Sequence, residues 1–367
     1  MFHPFELAFC GLSGSGKTTL VTRLLRHFRQ QEREPGYFKH GCHRFDIDRT
    51  GKDSYLARQA GAVSVMIADP EKEALISDTP GNISGSTVLD SCDILFIEGL
   101  KELPIPKILV VDTTHAILPL LEKSVIGNVL ALVHDGHAIG LERFGLPCFH
   151  RDDIGAIAEF VGKHLTSLVS AIPLYGLVVA GGRSLRMGSD KALLTYGKDN
   201  QLAVTASLLS EFCPQVFVSC RQDQAAAYAG FGHRVLTDTY LDLGPLGGLL
   251  SAQREHPEAA WFVVACDFPY LDGKTLGSLS SSRDPFRFAT AFMLPGADRP
   301  EPLCTIYEPK SRISLLRRHG NGNDSLSSFL AHSRISIVNA SGTDTLRNVN
   351  DPSGMQRALE ELNGEQS

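Results

Sequence analysis

The chain has no surplus of basic charge, no closely spaced cysteine pair and no long uninterrupted apolar helix. Its 35 Lys and Arg against 41 Asp and Glu leave a formal charge of −6, which speaks against the basic stripe of a nucleic-acid-binding surface. Eight cysteines stand at positions 10, 42, 92, 148, 213, 220, 266 and 304 without a Cys-x-x-Cys pair, so they read as reduced thiols of a cytoplasmic protein. The first eleven residues lack the basic stretch of a secretion signal. The longest uncharged run, 165–182, is broken by Pro173, Gly176, Gly181 and Gly182. It reads as a helix end, a linker and a strand over 175–180, and no membrane span is expected.

What the chain does have is two unlike glycine loops, each after an apolar strand-like run. These are Gly11-Leu-Ser-Gly-Ser-Gly-Lys17-Thr18 and Ala180-Gly-Gly-Arg-Ser-Leu-Arg-Met-Gly-Ser-Asp-Lys191. Without Cβ, glycine lets backbone N–H groups close on a phosphate at a helix start. A length of 367 residues exceeds one ordinary core and fits two domains. We expect domains at 1–170 and 174–367, split near Pro173. Short apolar segments (5–10, 74–77, 94–97, 107–111, 129–133, then 175–180, 215–219, 234–236 and 261–265) alternate with helical ones, including 153–170. That pattern predicts α/β folds with parallel sheets: a P-loop NTPase domain followed by a Rossmann-like nucleotidyltransferase domain.

The first loop meets G-x-x-x-x-G-K-[ST] in full, between a strand and a helix. Ser13, Gly14, Ser15, Gly16, Lys17, Thr18 and Thr19 are the expected nucleotide contacts, with Lys17 on the β- and γ-phosphates and Thr18 on Mg²⁺. A second acid should hold the metal. Glu98, ending the run Ile94–Ile97, is favoured over Asp78 of Asp-Thr-Pro-Gly. No Asn-Lys-x-Asp string for guanine occurs, which weakens a signalling-GTPase reading. His40, Cys42 and His43, with Asp46 and Asp48, could bind a metal or an anion, or could be structural.

From these motifs, residues 5 to about 165 resemble the MobB family, the GTP-binding adaptor of molybdopterin guanine dinucleotide synthesis. The family carries a P-loop, then K-H-x-H-H-x-x-D-x-D-x-x-G-K-D-S, then a strand ending V-E-G-[FY]-K. Here these are Lys39–Ser54 and Ile97-Glu98-Gly99-Leu100-Lys101, with Cys42 in place of a histidine. The second loop, within 177–194, resembles the L-A-G-G-x-x-x-R-M-G-x-D-K-x-L-L signature of MobA, the molybdenum cofactor guanylyltransferase. Leu236-Thr237-Asp238, Gly244-Pro245-Leu246-Gly247-Gly248, Ala265-Cys266-Asp267-Phe268-Pro269 and Asn348-Val349-Asn350-Asp351-Pro352 follow in the family's order. Ser219-Cys220-Arg221 departs from it, since the family generally places an asparagine there.

The resemblance implies transfer of GMP from GTP to molybdopterin or Mo-molybdopterin. Lys191, Arg186 and Asp267 are the expected catalytic groups. Val179, Ala180, Gly181, Gly182, Lys191, Ser219, Asp238 and Asp267 would bind GTP, and Mg²⁺ would rest on Asp267, with Thr18 and Glu98 serving the first loop. The first domain would be a GTP-binding adaptor with weak GTPase activity, dimeric as in the family. Its further partners would be molybdoenzyme apoproteins and their chaperones. The competing reading is a cytidylyl- or sugar-nucleotidyltransferase fused to a P-loop kinase. Asp190, where sugar-directed relatives carry proline, speaks against it.

Overall fold

A computed structural model describes residues 3–40, 48–77, 89–181, 191–195, 199–340, 345–349 and 352–364. Contacts divide the chain into two units, Met1–Thr166 and Ser167–Ser367. In the first, strands β1 (Glu6–Cys10), β2 (Pro35–Lys39), β5 (Ile94–Glu98), β6 (Lys107–Val110), β7 (Val129–His134) and β8 (Cys148–His150) make one sheet in the order β2-β5-β1-β6-β7-β8. All of its pairings are parallel. Every residue of β1, β5 and β6 is buried, as required of strands covered on both faces.

Helix α1 (Lys17–Gln30) buries Leu20, Val21, Leu24 and Phe28, a stripe at three- and four-residue spacing. Each such side chain contributes about 1.5–3 kcal/mol on burial. Phe28 meets Phe96 edge-on at 5.6 Å, and Phe96 meets Phe9 likewise at 5.4 Å, so the helix is seated on the two strands that carry the first motif. Helices α2 (Asp53–Gln59), α3 (Leu118–Glu122) and α4 (Ile154–Ser170) complete the described helices of this half.

The strand expected over 74–77 forms, but not in the parallel sheet. It is β4 (Glu73–Ser77), paired antiparallel with β3 (Ser64–Ala68) as a separate ribbon. Asp69 Oδ1 accepts the N–H groups of Glu71 and Lys72, at 2.8 Å each, and this side-chain turn closes the hairpin locally. Met66, Ile67 and Leu75 on it remain exposed.

The second unit contains β9 (Leu174–Val179), β10 (Val216–Cys220), β11 (Arg234–Thr237), β12 (Ala260–Ala265), β13 (Ala289–Met293), β14 (Cys304–Tyr307) and β15 (Ser336–Asn339). They are ordered β11-β10-β9-β12-β14-β13-β15. An all-parallel sheet was the expectation, and β14 departs from it by running antiparallel to both β12 and β13. Val178, Val218, Phe262 and Val264 point into one core, and Leu177, Phe217, Trp261 and Val263 into another. Successive side chains leave opposite faces of a strand, so two cores, one per face, produce the continuous apolar runs seen in the sequence. Helices α5 (Gln201–Ser210), α6 (Ala225–Tyr228), α7 (Pro245–Glu255), α8 (Gly273–Ser281), α9 (Ser311–Gly320), α10 (Leu326–Ala331) and α11 (Pro352–Gly364) accompany this sheet.

Cys10, Cys148, Cys213 and Cys304 form no disulfide, and all but Cys148 are buried. Burial pushes the thiols of Cys10 and Cys213 up to about 11 and about 12.

Glu308 is fully buried and is held by a two-pronged contact, accepting from Arg283 Nε at 2.7 Å and Nη2 at 2.9 Å. Burial raises the Glu308 pKa, and the Arg283 charge opposes that rise. Removing the cation strands the carboxyl group. We expect Arg283→Ala to cost about 3 kcal/mol, read as a lower urea midpoint for the transition of the second unit.

Candidate functional site

The first motif is built by the turn between β1 and α1. Gly14 and Gly16 have φ of 78° and 91°, the left-handed region that other residues enter at a cost. Gly16 caps α1 without a side-chain acceptor, an arrangement that suits the first N–H groups of the helix to an anion. Lys17 Nζ donates to the Leu12 carbonyl at 2.6 Å across the loop. Burial lowers the Lys17 pKa, and the Glu98 charge works against that.

Parallel pairing sets Phe9 opposite Glu98 and Lys39 opposite Glu98 on the other side. Glu98 therefore ends its strand directly beside the loop. Its carboxylate accepts from Thr18 Oγ1 at 2.8 and 3.0 Å and from the Tyr37 hydroxyl at 2.8 Å, with Lys39 Nζ at 3.3 Å. Burial pushes the Glu98 pKa up, but the hydrogen bonds from Thr18, Tyr37 and Lys39 together win and leave it below its ordinary value. The structure thus joins Thr18 to Glu98. Ser13, Gly14, Ser15, Gly16, Lys17 and Thr19 lie on the same loop and first helical turn. Tyr37 and Lys39, both on β2, reach Glu98 because β2 pairs with β5, a neighbour relation that local sequence does not signal. Asp78, Cys42, His43 and Asp46 lie outside the described residues.

The second motif gathers at the ends of β9, β10, β11 and β12. Val179 lies opposite both Ser219 and Ala265, and Cys220 opposite Thr237. Ser219 Oγ donates to Asp238 Oδ1 at 2.7 Å. A Cβ on Gly181 would sit 3.3 Å from Asp238 Oδ2, and one on Gly248 only 2.2 Å from Ser219 Oγ. The start of α7 therefore packs against the Ser219–Asp238 pair with no room for a side chain. Desolvation raises the Asp238 pKa, partly offset by the Ser219 hydroxyl and the Arg221 charge. Arg221 Nη1 donates to the Gly181 carbonyl at 2.9 Å, and Tyr228 donates to that of Ala180 at 3.4 Å.

Asp267 follows the buried β12 and its carbonyl accepts the Val349 N–H at 2.9 Å, which joins it to the segment ending at Val349. Glu301 is a second acid nearby: its Oε1 accepts the Leu303 N–H at 2.8 Å, and the Leu303 carbonyl accepts the Ala265 N–H at 3.0 Å. Burial raises the Glu301 pKa, the Leu303 N–H opposes that rise, and the Asp267 charge adds to it. It was not anticipated because it precedes a strand, and only the antiparallel sense of β14 brings it here. Gly182, Arg186 and Asn350 lie outside the described residues, as does the side chain of Lys191, which opens a single 3-10 turn (Lys191–Leu193). Among the described residues, no group of three or more His, Cys, Asp or Glu is placed to hold a metal by itself.

Comparison with known proteins matches residues 176–337 to a MobA-like NTP transferase domain and residues 6–135 to molybdopterin guanine dinucleotide synthesis protein B. A probable molybdenum cofactor guanylyltransferase of Methanothermobacter thermautotrophicus is 30% identical over 188 residues, which cover 49% of this chain and 95% of that protein. The chain belongs to the molybdenum cofactor guanylyltransferase family. Its MobA-like half is fused to a MobB-type domain. A bifunctional molybdenum cofactor biosynthesis protein of Synechocystis is 30% identical over 50% of this chain and 53% of its own length. A molybdopterin-guanine dinucleotide biosynthesis adapter protein of Haemophilus influenzae is 35% identical over 28% of this chain and 61% of its own length. The chain thus spans between half and two thirds of the length of these last two relatives.

For this MobB–MobA fusion, the Glu98 contacts yield a pH dependence. A carboxylate held below its ordinary value of 4.5 adds stability that is complete above that pH and is lost as pH falls through the depressed value. The unfolding free energy of the parent should therefore exceed that of Glu98→Gln at neutral pH, with the gap closing on acidification below about 4.5. Denaturant titration along a pH series measures this, and a constant gap would show that charge is not the cause.

Proposed function

We propose that the second unit transfers GMP from GTP to molybdopterin or Mo-molybdopterin, giving the guanine dinucleotide and pyrophosphate, and that the MobB-type unit is a GTP-binding adaptor. The observation that carries this reading is the meeting of Gly181, Ser219, Asp238 and Gly248 at one strand rim, with Asp267 at the end of the adjoining β12. Backbone N–H groups after β9 suit phosphate, while Ser219 and Asp238 offer a hydroxyl and a carboxyl for a nucleoside. A terminal phosphate oxygen of the pterin attacks the α-phosphorus. The bond from that phosphorus to the bridging oxygen breaks, and pyrophosphate leaves with the electron pair.

The chain's own groups would bind and orient. Arg186 and Lys191, from the signature loop, place positive charge against the triphosphate. Gly181 leaves the backbone bare for close approach. The donors fit Mg²⁺, which takes hard oxygen ligands. Thr18 Oγ1 and the Glu98 carboxylate converge beside the P-loop, and Asp267 is the acid that would hold the ion in the second unit. A bound divalent cation would offset the charge on the phosphate oxygens.

The name of the Haemophilus relative supports the adaptor role of the first unit, and the P-loop supports slow GTP hydrolysis there. Fusion raises the effective concentration of one unit beside the other. The exposed Met66, Ile67 and Leu75 on the β3–β4 ribbon support a homodimer formed through it. Molybdoenzyme apoproteins and their chaperones would receive the product. Among the described residues, no helix is long and apolar enough to cross a membrane.

Pyrophosphate release with molybdopterin and GTP, CTP or ATP tests the reading. GTP should be preferred, and preference for CTP would overturn the guanylyl assignment. Asp267→Asn and Lys191→Ala should each slow the release about 10²- to 10³-fold, the cost typical of one electrostatic contact to the transition state. Thermal unfolding of both variants should be unchanged.

A further inference from the structure

The first unit lacks the Asn-Lys-x-Asp string by which a P-loop protein would read guanine, yet its sheet supplies a carboxylate at a suitable place. In open parallel sheets, ligands lie in the crevice beyond the carboxyl ends of the strands. The P-loop after β1 fixes the phosphates, and the strands continuing on the α1-distal side of β1 are β6, β7 and β8. With neighbouring strands about 4.8 Å apart, the end of β7 is about 10 Å from the loop, a distance that a sugar and part of a base would cover. Asp135 stands directly after β7, and its side chain is nine-tenths buried.

Two further contacts mark the spot. Arg151 follows β8, and its N–H donates to the His134 carbonyl at 2.8 Å. Its Nη1 reaches both ways: it lies 3.6 Å from where a Cβ of Gly16 would stand and 4.0 Å from Asp135 Oδ2. Arg151 thus links the phosphate loop to Asp135 without a hydrogen bond to that oxygen. His137, largely exposed, contacts Asp135 Oδ1 at 3.0 Å through Nδ1, and its exposure lets it swing aside. The His137 hydrogen bond holds the Asp135 pKa down, so the group is a carboxylate, an acceptor only.

We propose that Asp135 is the guanine-reading residue of the MobB-type unit, its carboxylate accepting the N1–H and 2-amino groups of the base while Arg151 spans the gap to the phosphate loop. Adenine presents a lone pair and a C–H at those positions and gains nothing there. The inference rests on the reading that the P-loop unit binds GTP, and adds to it the side chain by which the base is read.

The full-length chain is titrated by calorimetry, in the presence of Mg²⁺, with GTP, ITP, ATP and XTP, and Lys17→Ala identifies which site belongs to the P-loop. Loss of one GTP site in Lys17→Ala secures the underlying reading; no loss refutes it and this inference with it. Given that loss, Asp135→Asn should weaken GTP at the same site about tenfold or more. It should also create a site for XTP, whose 2-oxo group accepts from the new amide, and that XTP site should vanish when Lys17→Ala is added. Unchanged GTP affinity with no XTP binding would overturn the assignment while leaving the P-loop reading intact. Should Asp135→Asn fail to fold, the parent protein decides. GTP should exceed ITP, which lacks the 2-amino group, and ATP at the Lys17-dependent site, whereas equal binding of the three would sink the proposal.

Discussion

Both units depend on one constraint: parallel strands in register end together. Because Phe9 pairs with Glu98, and Val179 with both Ser219 and Ala265, the residues just past the last rungs of each ladder share one rim. Apolar burial on both faces of the sheets fixes that register, since a slip of one residue would turn each strand's core side chains to the wrong face. The chemistry is therefore positioned by the packing of Phe9, Phe96, Phe217, Phe262 and their neighbours, none of which would touch a ligand.

The two rims treat their acids differently. Glu98 receives three donors, from Thr18, Tyr37 and Lys39, and stays charged despite burial. Asp238 receives one hydroxyl and is biased toward its neutral form, and Glu301 is biased the same way by burial and by Asp267. A charged acid beside a hydroxyl suits a cation. An acid shielded from water beside Ser219 offers a nucleoside a hydrogen-bond acceptor. The same fold class thus furnishes two unlike electrostatic settings from small differences in how many N–H and O–H groups face one carboxyl oxygen.

Much of this was legible in the residues themselves. Gly11–Thr18 and 177–191 carried the glycine motifs from which the two domains were expected, and Ile94–Ile97 pointed to Glu98 by ending in it. The parts that stayed hidden have physical reasons. The β3–β4 ribbon reads like any short strand pair, because local spacing does not say which partner a strand will choose. The reversed direction of β14 leaves no mark on alternation, so Glu301 went unnoticed ahead of Cys304. Asp135 and Arg151 have no sequence signature either. They acquire meaning only when the strand order places β7 and β8 outward from the phosphate loop. Tyr37 and Lys39 were hidden in the same way, being distant in sequence from Thr18 and brought in by β2 pairing with β5.

The buried thiols carry a last consequence. Cys10, Cys213 and Cys304 are all held protonated by their apolar surroundings, Cys304 most strongly, and a protonated sulfur is a poor nucleophile. Even exposed Cys148 is pushed up, by partial burial and by Glu142. These four thiols are thereby made poor nucleophiles, and none of them is tied up in a disulfide. The cysteines beside the two rims, Cys10 at the end of β1 and Cys304 on β14, are thus packing groups of the sheets and not reagents.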